Sequence, residues 1–295
     1  MALLIPAIQQ SVLFLPLCLG IYLTYQVMQI TDLTVEATFV TGAGVFAHIM
    51  LSTHTVALAI FLALIIGAIV GLVVAVMQKV TKLDALIISV LAIFMMYSIN
   101  MMLMGRPNLS LLSVNDGVFQ MVKHQPFAFW SSLVLLMALL LVAVQCLLRS
   151  RSGLLMRAFG DNRSLLKQLR VNDTVMLVIG MMISNALAAF SGVLTAVVNG
   201  YADINLSAGV ALTAIGAVII GLTTIKTLKK SRYYRPGLEL LGCVLGVLVY
   251  FLLLNGLLVI GVNPLYMKCV LGVMLLVFLS MRQFAMSQEA ICQRN

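Results

Sequence analysis

The sequence predicts an all-α protein that crosses a membrane about eight or nine times, and its composition and hydropathy support this class. Of 295 residues, 62% are hydrophobic and 9% are charged. A soluble domain is about 45–50% apolar and about 25% charged. The mean hydropathy is +1.13. Because a globule of this size could not bury so much apolar surface, soluble, disordered and disulfide-stabilised classes are excluded.

Nine hydrophobic segments approach the length of about 20 helical residues that a bilayer core requires. The second and seventh are short or rich in small residues, so each is either a full span or a re-entrant helix. Both open on a Thr-, Ala- and Gly-rich stretch, and paired weak segments are typical of inverted-repeat transporters. No compositional break divides the chain, so residues 1–295 are predicted to form one transmembrane domain. The segments are 11–29, 38–53, 57–77, 85–104, 128–148, 174–198, 208–225, 237–259 and 264–281.

Positive charges collect in a few of the connections. Fifteen of the 18 Lys and Arg residues lie in stretches 78–84, 149–173 and 226–236 and in the tail after 281. With nine crossings these stretches share one side, and cytoplasmic loops are enriched in Lys and Arg. The pattern predicts an external N-terminus and a cytoplasmic C-terminus. It also explains the net charge of +9 by membrane topology rather than by nucleic-acid binding.

Motifs for catalysis or metal binding are missing from the sequence. It contains no GxxxxGK[ST] loop and no HExxH motif, and its cysteines and histidines are scattered. We therefore predict no catalytic residue, metal or cofactor. Polar groups within apolar segments are the remaining candidates, because burying them in a membrane is costly. Thr41, Asn185, Asn199 and Asn205 either line a translocation path or form hydrogen bonds between helices.

Two acidic residues lie between the first two segments. Asp32 and Glu36 are interpreted either as functional intramembrane groups or as caps of the following helix at a wet boundary.

The most informative connection runs from Arg149 to Asp173. A Gly-Asp-Asn turn at 160–162 precedes a predicted short helix through about Arg170. An apolar stripe on a basic helix suits either docking to a protein or lying on anionic headgroups. The candidate residues are Arg157, Gly160, Asp161, Asn162, Leu165, Leu166 and Leu169.

This connection resembles that of bacterial ABC-importer permeases of the branched-chain amino acid and ribose permease superfamily. Residues 153–162, GLLMRAFGDN, are similar to the family pattern "GL-LRA-GDN". Residues 32–44 resemble the "DLTVDGSF-LGAA" pattern of one subgroup, with Glu-Ala replacing its Asp-Gly. Residues 184–194 resemble "SNALVALSGAL", and residues 200–205 and 217–221 resemble "GFADVN" followed by "AVIIG".

The resemblance implies the permease subunit of an importer in the bacterial inner membrane, which carries a small polar solute such as an amino acid. It implies a cytoplasmic ATPase docked on a coupling loop at 149–173, an external solute-binding protein, and a second copy of the chain. Arg157, Gly160, Asp161 and Asn162 would form the turn and anchor of that loop. From composition alone, a stand-alone secondary transporter or exporter remains an alternative.

Overall fold

The computed structural model is helical except for one short β-ribbon in the part of the chain that it describes. That part is residues 3–112, 114, 117–228, 236–263, 266, 269, 270, 272, 273 and 276. Within it, eight helical segments are long and apolar enough to cross a membrane. The all-helical class with about eight spans is therefore confirmed. Two thirds of the ninth predicted segment, 264–281, lies outside the described residues.

Seven of the eight candidate spans lie within a few residues of the predicted segments. The first differs most, because its helix begins at Leu4 rather than at residue 11 and closes in a π-helical turn. The helices are α1 (Leu4–Ile21), the π-helix (Tyr22–Val27), α2 (Thr34–Thr53), α3 (Val56–Thr81), α4 (Ala85–Met104), α5 (Gly117–His124), α6 (Pro126–Arg149), α7 (Arg151–Asp161), α8 (Arg163–Gln168), α9 (Asp173–Asn199), a 3₁₀ turn (Ile204–Ser207), α10 (Val210–Leu228) and α11 (Pro236–Val259).

The chain divides into two compact units, of which the larger comprises Val12–Ile215. In it α9, about 40 Å long at 1.5 Å per residue, is the central helix and packs against α2 and α3. Glycines permit the close contact. A side chain at Gly67 or Gly71 of α3 would overlap α9, and one at Gly192 of α9 would overlap the Phe39 carbonyl of α2. The GxxxG spacing of α3 is thus explained by helix packing.

The smaller unit comprises Met1–Ser11 and Gly216–Asn295. Its described helices pack through a second set of glycines, because any side chain at Gly221 or Gly246 would overlap the backbone of the facing helix. Asn255 of α11 donates a 3.0 Å hydrogen bond to the Gln10 amide oxygen. This unit therefore shows the same combination of small residues and polar contacts between helices.

The larger unit has two chemically different ends, set by the two ends of α9. One cleft lies near Asp173, and it is lined by the segment after the π-helix, the α3–α4 connection and α7. Lys79 forms an ion pair with Asp173 there, at 3.2 Å. We call this the α7 end. Near Asn199, strand β1 (Asn108–Ser110) pairs antiparallel with β2 (Tyr201–Asp203), which defines the ribbon end. The sequence did not predict these strands, because three residues are too few to carry a periodic signal.

Candidate functional site

Helices α7 and α8 together occupy most of the connection from Arg149 to Asp173, and α7 is the longer of the two. Its start is capped by Ser150, whose hydroxyl accepts a 3.4 Å hydrogen bond from the Gly153 amide. Gly153, Met156 and Phe159 form its buried face. This spacing of three residues, following a serine cap, is the signal by which the sequence could have revealed the helix.

Gly160 seats α7 against the end of the first span. A side chain there would overlap the carbonyl oxygen of Val27 and approach the Met28 backbone. Because the contact is backbone to backbone, only glycine allows α7 to lie this close to the π-helix. The predicted turn residue is thus a packing residue at the end of a helix.

The two polar residues of the predicted turn make different contacts. Asp161 Oδ1 accepts a 3.2 Å hydrogen bond from Gln29 Nε2, which joins α7 to the segment after the first span. Asn162 ends α7, and its Oδ1 accepts a 3.0 Å bond from the Ser164 amide and a 2.6 Å bond from the Ser164 hydroxyl. Asn162 therefore caps α8.

The predicted apolar stripe is only partly present. Helix α8 ends at Gln168, because Arg170 adopts a left-handed conformation with φ of 54°. Leu166 is buried, whereas Leu169 lies beyond the helix and is 56% exposed. The side chain of Leu165 lies outside the described residues. Arg157 is partly buried within α7. The prediction that one helix would carry Leu165, Leu166 and Leu169 on a single stripe is therefore wrong for Leu169, which lies beyond the end of α8.

A cleft of about 470 Å³ opens beside α7 at this end of the unit. Gln29, Thr31, Gln78 and the Lys79–Asp173 ion pair supply its polar lining, and Phe159 of α7 forms part of its wall. The α7 end thus combines an exposed helix surface with a polar, water-accessible recess.

A buried polar cluster lies about halfway along α9. Asp32 is 2% exposed, and the side chains of Thr34 and Asn185 are fully buried beside it. Asp32 Oδ1 accepts hydrogen bonds from the amide and the hydroxyl of Thr34, and Oδ2 accepts a 3.1 Å bond from Asn185 Nδ2. Among the described residues no Lys, Arg or His pairs with this carboxylate. Its two oxygens accept three hydrogen bonds instead, so neither is left without a partner.

Asp32 accepts the hydrogen bond of the Thr34 amide in the first turn of α2. It does so inside the bundle and not at the wet boundary that the capping interpretation assumed. Asn185 lies about 18 Å along α9 from Asp173, at 1.5 Å per residue. The connection after the π-helix therefore turns back into the bundle before α2 begins. The sequence placed Asp32 next to a helix start, but only the fold places that start beside the middle of another helix.

The predicted path residues fall into two groups. Asn185 also accepts a 2.7 Å bond from the Thr38 hydroxyl, and Thr41 Oγ1 lies 2.8 Å from Asn100 Oδ1 of α4. Thr41 and Asn185 are therefore buried between helices. Asn199 and Asn205 are exposed at the ribbon end. Asn185 of α9 contacts one face of α2, and Thr41 lies on another face of α2, towards α4. Asn199 and Asn205 take part in neither contact.

Glu36 joins the two segments that resemble each other in sequence. Its Oε1 accepts a 2.9 Å hydrogen bond from the amide of Gly209, directly before α10. Gly209 has a φ of +85°, a conformation that favours glycine. The starts of α2 and α10 therefore meet at a single carboxylate.

The family described as "Branched-chain amino acid transport system / permease component" matches residues 4–279. An uncharacterized protein of Rickettsia prowazekii (strain Madrid E) is 41% identical over 95% of this chain and 98% of its own length. No solved structure matches significantly.

Two named permeases are also similar. A "tyrosine transport system permease protein" of Clostridioides difficile (strain R20291) is 27% identical over 76% of this chain and 74% of its own length. A "probable ABC transporter permease protein", YphD, of Escherichia coli (strain K12) is 30% identical over 41% of this chain and 34% of its own length. With eight candidate spans and a family match over almost its whole length, this chain belongs to the permease components of branched-chain amino acid transport systems.

Proposed function

We propose that this chain is the membrane-spanning subunit of an ATP-driven importer for a small polar solute, and that a separate cytoplasmic ATPase docks on α7 and α8. The observation that carries the proposal is the seating of α7. Its buried face packs on the bundle, its Gly160 abuts the first span, and Arg151 and Leu154 are exposed for a partner. Because α7 is packed this closely against the bundle, a movement of the docked ATPase would displace α7 and the bundle together.

The α7 end is assigned to the cytoplasm. The connections 78–84 and 149–173, which carry eight of the chain's Lys and Arg residues, both contribute to this end. The positive-inside tendency therefore favours this orientation, with an external N-terminus. In a bacterium the membrane would be the inner membrane, and the ribbon end would face the solute-binding protein.

An amino acid is our proposed solute. The family and the named relative from Clostridioides difficile both concern amino acids, and this chain is similar to that relative over three quarters of its length. We place the path between two copies of the chain. Asn199 and Asn205 are proposed for its outer mouth, whereas Thr41 and Asn185 could line it only after α2 moves away from its neighbours.

The decisive experiment reconstitutes the chain in liposomes with its ATPase and binding protein and measures ATP hydrolysis and solute import together. Replacing Asp161 and Asn162 by leucine should break the Gln29 contact and the α8 cap while the chain still inserts. We expect import to fall at least about tenfold while hydrolysis persists, since a docking geometry lost by about 1 Å can cost two orders of magnitude.

A matched control changes exposed Met102, at the end of α4 away from the α7 end, to leucine, which keeps volume and polarity similar. It should leave the ratio of import to hydrolysis unchanged. Unaltered import in the Asp161 and Asn162 variant would remove α7 and α8 from the coupling role. An ATPase that fails to bind the wild-type chain would count against the whole proposal.

A second candidate, an ion-driven carrier, is favoured by one observation. Asp32 is a buried carboxylate in the middle of the bundle, and such groups mark ion and proton routes in membrane proteins. Import into liposomes that contain only this chain and an ion gradient would support the carrier. Import that requires both ATP and the ATPase would reject it.

A further inference from the structure

We propose that Asp32 is a positioning residue that transmits the movement of α7 to α2 and, through Glu36, to the start of α10. This inference rests on the proposed function, because it assumes that α7 is moved by an ATPase. It adds the route by which that movement reaches the middle of the bundle and the residue on which the route depends.

The first step of the route lies at the surface. Gly160 packs against the backbone of Val27 and Met28, and Asp161 accepts the hydrogen bond from Gln29. Gln29 has a left-handed φ of 53°, so the chain reverses direction there. A displacement of α7 therefore acts on the short connection between the first span and α2.

The second step lies inside the bundle. Only four residues, one of them Asp32, separate Gln29 from Thr34, the first residue of α2. Asp32 holds the Thr34 amide and hydroxyl on one oxygen and the Asn185 amide on the other. The same carboxylate thus bonds both the start of α2 and the middle of α9. Its position decides how those two helices sit against each other.

The third step passes along the first turn of α2. Glu36 follows Thr34 by two residues and accepts the hydrogen bond of the Gly209 amide before α10. A shift of the α2 start therefore reaches the start of α10. These are the two helix starts that resemble each other in sequence, and both belong to the larger unit.

Hydrogen-bond accounting shows why a carboxylate is needed at Asp32. The two hydrogens of Asn185 Nδ2 are already assigned, one to Asp32 Oδ2 and one to the Met181 carbonyl at 3.0 Å. The facing atom at position 32 must therefore be an acceptor. An asparagine there can keep the Thr34 contacts through its oxygen, but it presents an amide to the amide of Asn185. Asp32→Asn therefore breaks the bond to α9 while it retains the size of the side chain.

The test measures solute imported per ATP hydrolysed by the complete transporter with Asp32→Asn. We expect this ratio to fall about tenfold, the scale of one lost hydrogen bond to a charged group. Basal hydrolysis and the amount of intact complex should stay near wild type. Ser191→Ala is the matched control, because it removes another buried α9 hydrogen bond, 2.7 Å to the Leu13 carbonyl, away from this route. Its ratio should not change.

A surface pair keeps the test independent of folding at the buried site. Gln29→Glu places a carboxylate against Asp161 and should lower the ratio by a smaller factor. Asp161→Asn alone keeps an acceptor oxygen for Gln29 Nε2, so its ratio should stay near wild type. The combined variant restores the hydrogen bond with donor and acceptor exchanged, and we expect it to recover most of the ratio. Recovery of the ratio, with the same amount of intact complex in all three variants, assigns the pair to transmission and not to folding.

The outcomes separate this inference from the function on which it rests. If the wild-type complex shows no ATP-driven import, the proposed function fails. If the wild type imports and Asp32→Asn keeps a normal ratio, the route through Asp32 is overturned. Loss of the intact complex in Asp32→Asn, together with no recovery in the combined Gln29 and Asp161 variant, would also overturn it, since Asp32 would then serve only folding.

Discussion

Helices α2 and α6 are both candidate spans, yet they face different surroundings. In the most apolar 18-residue window of each, 78% of α2 is buried and only 22% of α6. Helix α2 is the less apolar of the two and carries Thr34, Glu36, Thr38 and Thr41. Helix α6 exposes leucines and valines along its length. In this protein the more polar helix therefore lies inside and the more apolar helix lies outside.

The reason is that a bilayer gives no hydrophobic advantage to burying an apolar side chain against protein. Helices associate through close packing of small residues and through hydrogen bonds. Both are concentrated between α2 and α9, at Gly42, Gly192 and the Asp32 cluster. High hydropathy thus identifies the surface that faces lipid or a second copy, and small and polar residues identify the core.

The largest expected effect comes from adding volume to the inner contact. Gly192→Val in α9 would force a side chain into the Phe39 carbonyl, and overpacking of this kind costs about 3 kcal/mol. We expect little folded protein by size-exclusion chromatography in detergent. Gly256→Ala in α11, where a new Cβ meets no atom within 4 Å, should be neutral or slightly stabilising. Equal damage at both glycines would contradict a packing explanation.

The outer helix should be sensitive to charge and tolerant of truncation. Leu139 lies near the middle of α6 and is 66% exposed. Leu139→Arg should reduce membrane insertion, at a cost of about 2.5 kcal/mol at a lipid-facing helix centre. Leu139→Ala should change the unfolding midpoint little. A loss of about 2–5 kcal/mol for the alanine variant, as in a packed core, would show that another protein chain covers α6.

A smaller effect is expected from a polar contact between α2 and α4. Asn100 Oδ1 lies 2.8 Å from Thr41 Oγ1, and its Nδ2 donates a 3.1 Å bond to the Ala37 carbonyl. Asn100→Leu should lower stability by about 1 kcal/mol, the usual scale of such bonds in membranes. Thermal unfolding in detergent measures it, with exposed Met102→Leu on the same helix as the control. If the Asn100→Leu variant is as stable as that control, the hydrogen bonds of Asn100 to α2 do not stabilise the protein.

The candidate site was predictable where the signal is local. The cap at Asn162 follows from side-chain chemistry within two residues, whereas Gly160 and Asp161, predicted as a turn, belong to the end of α7. The contact between Gly160 and Val27 joins residues more than 130 positions apart, and so does the bond between Gln29 and Asp161. The periodicity of hydrophobic residues along the sequence gives no information about such distant pairs. The helical part of 151–161 was missed because its basic residues obscured a buried face of small and apolar side chains.

The sequence alone determined the class, the number of candidate spans within the described chain, and the approximate position of each span. Length and hydropathy suffice for this, because a bilayer requires every spanning segment to satisfy its own backbone hydrogen bonds. Only the tertiary structure decided that α2 starts beside the middle of α9 and that Asp32, Thr34 and Asn185 share one set of hydrogen bonds. The physical reason is that partners for a buried polar group are chosen by packing between distant helices, which hydropathy does not encode.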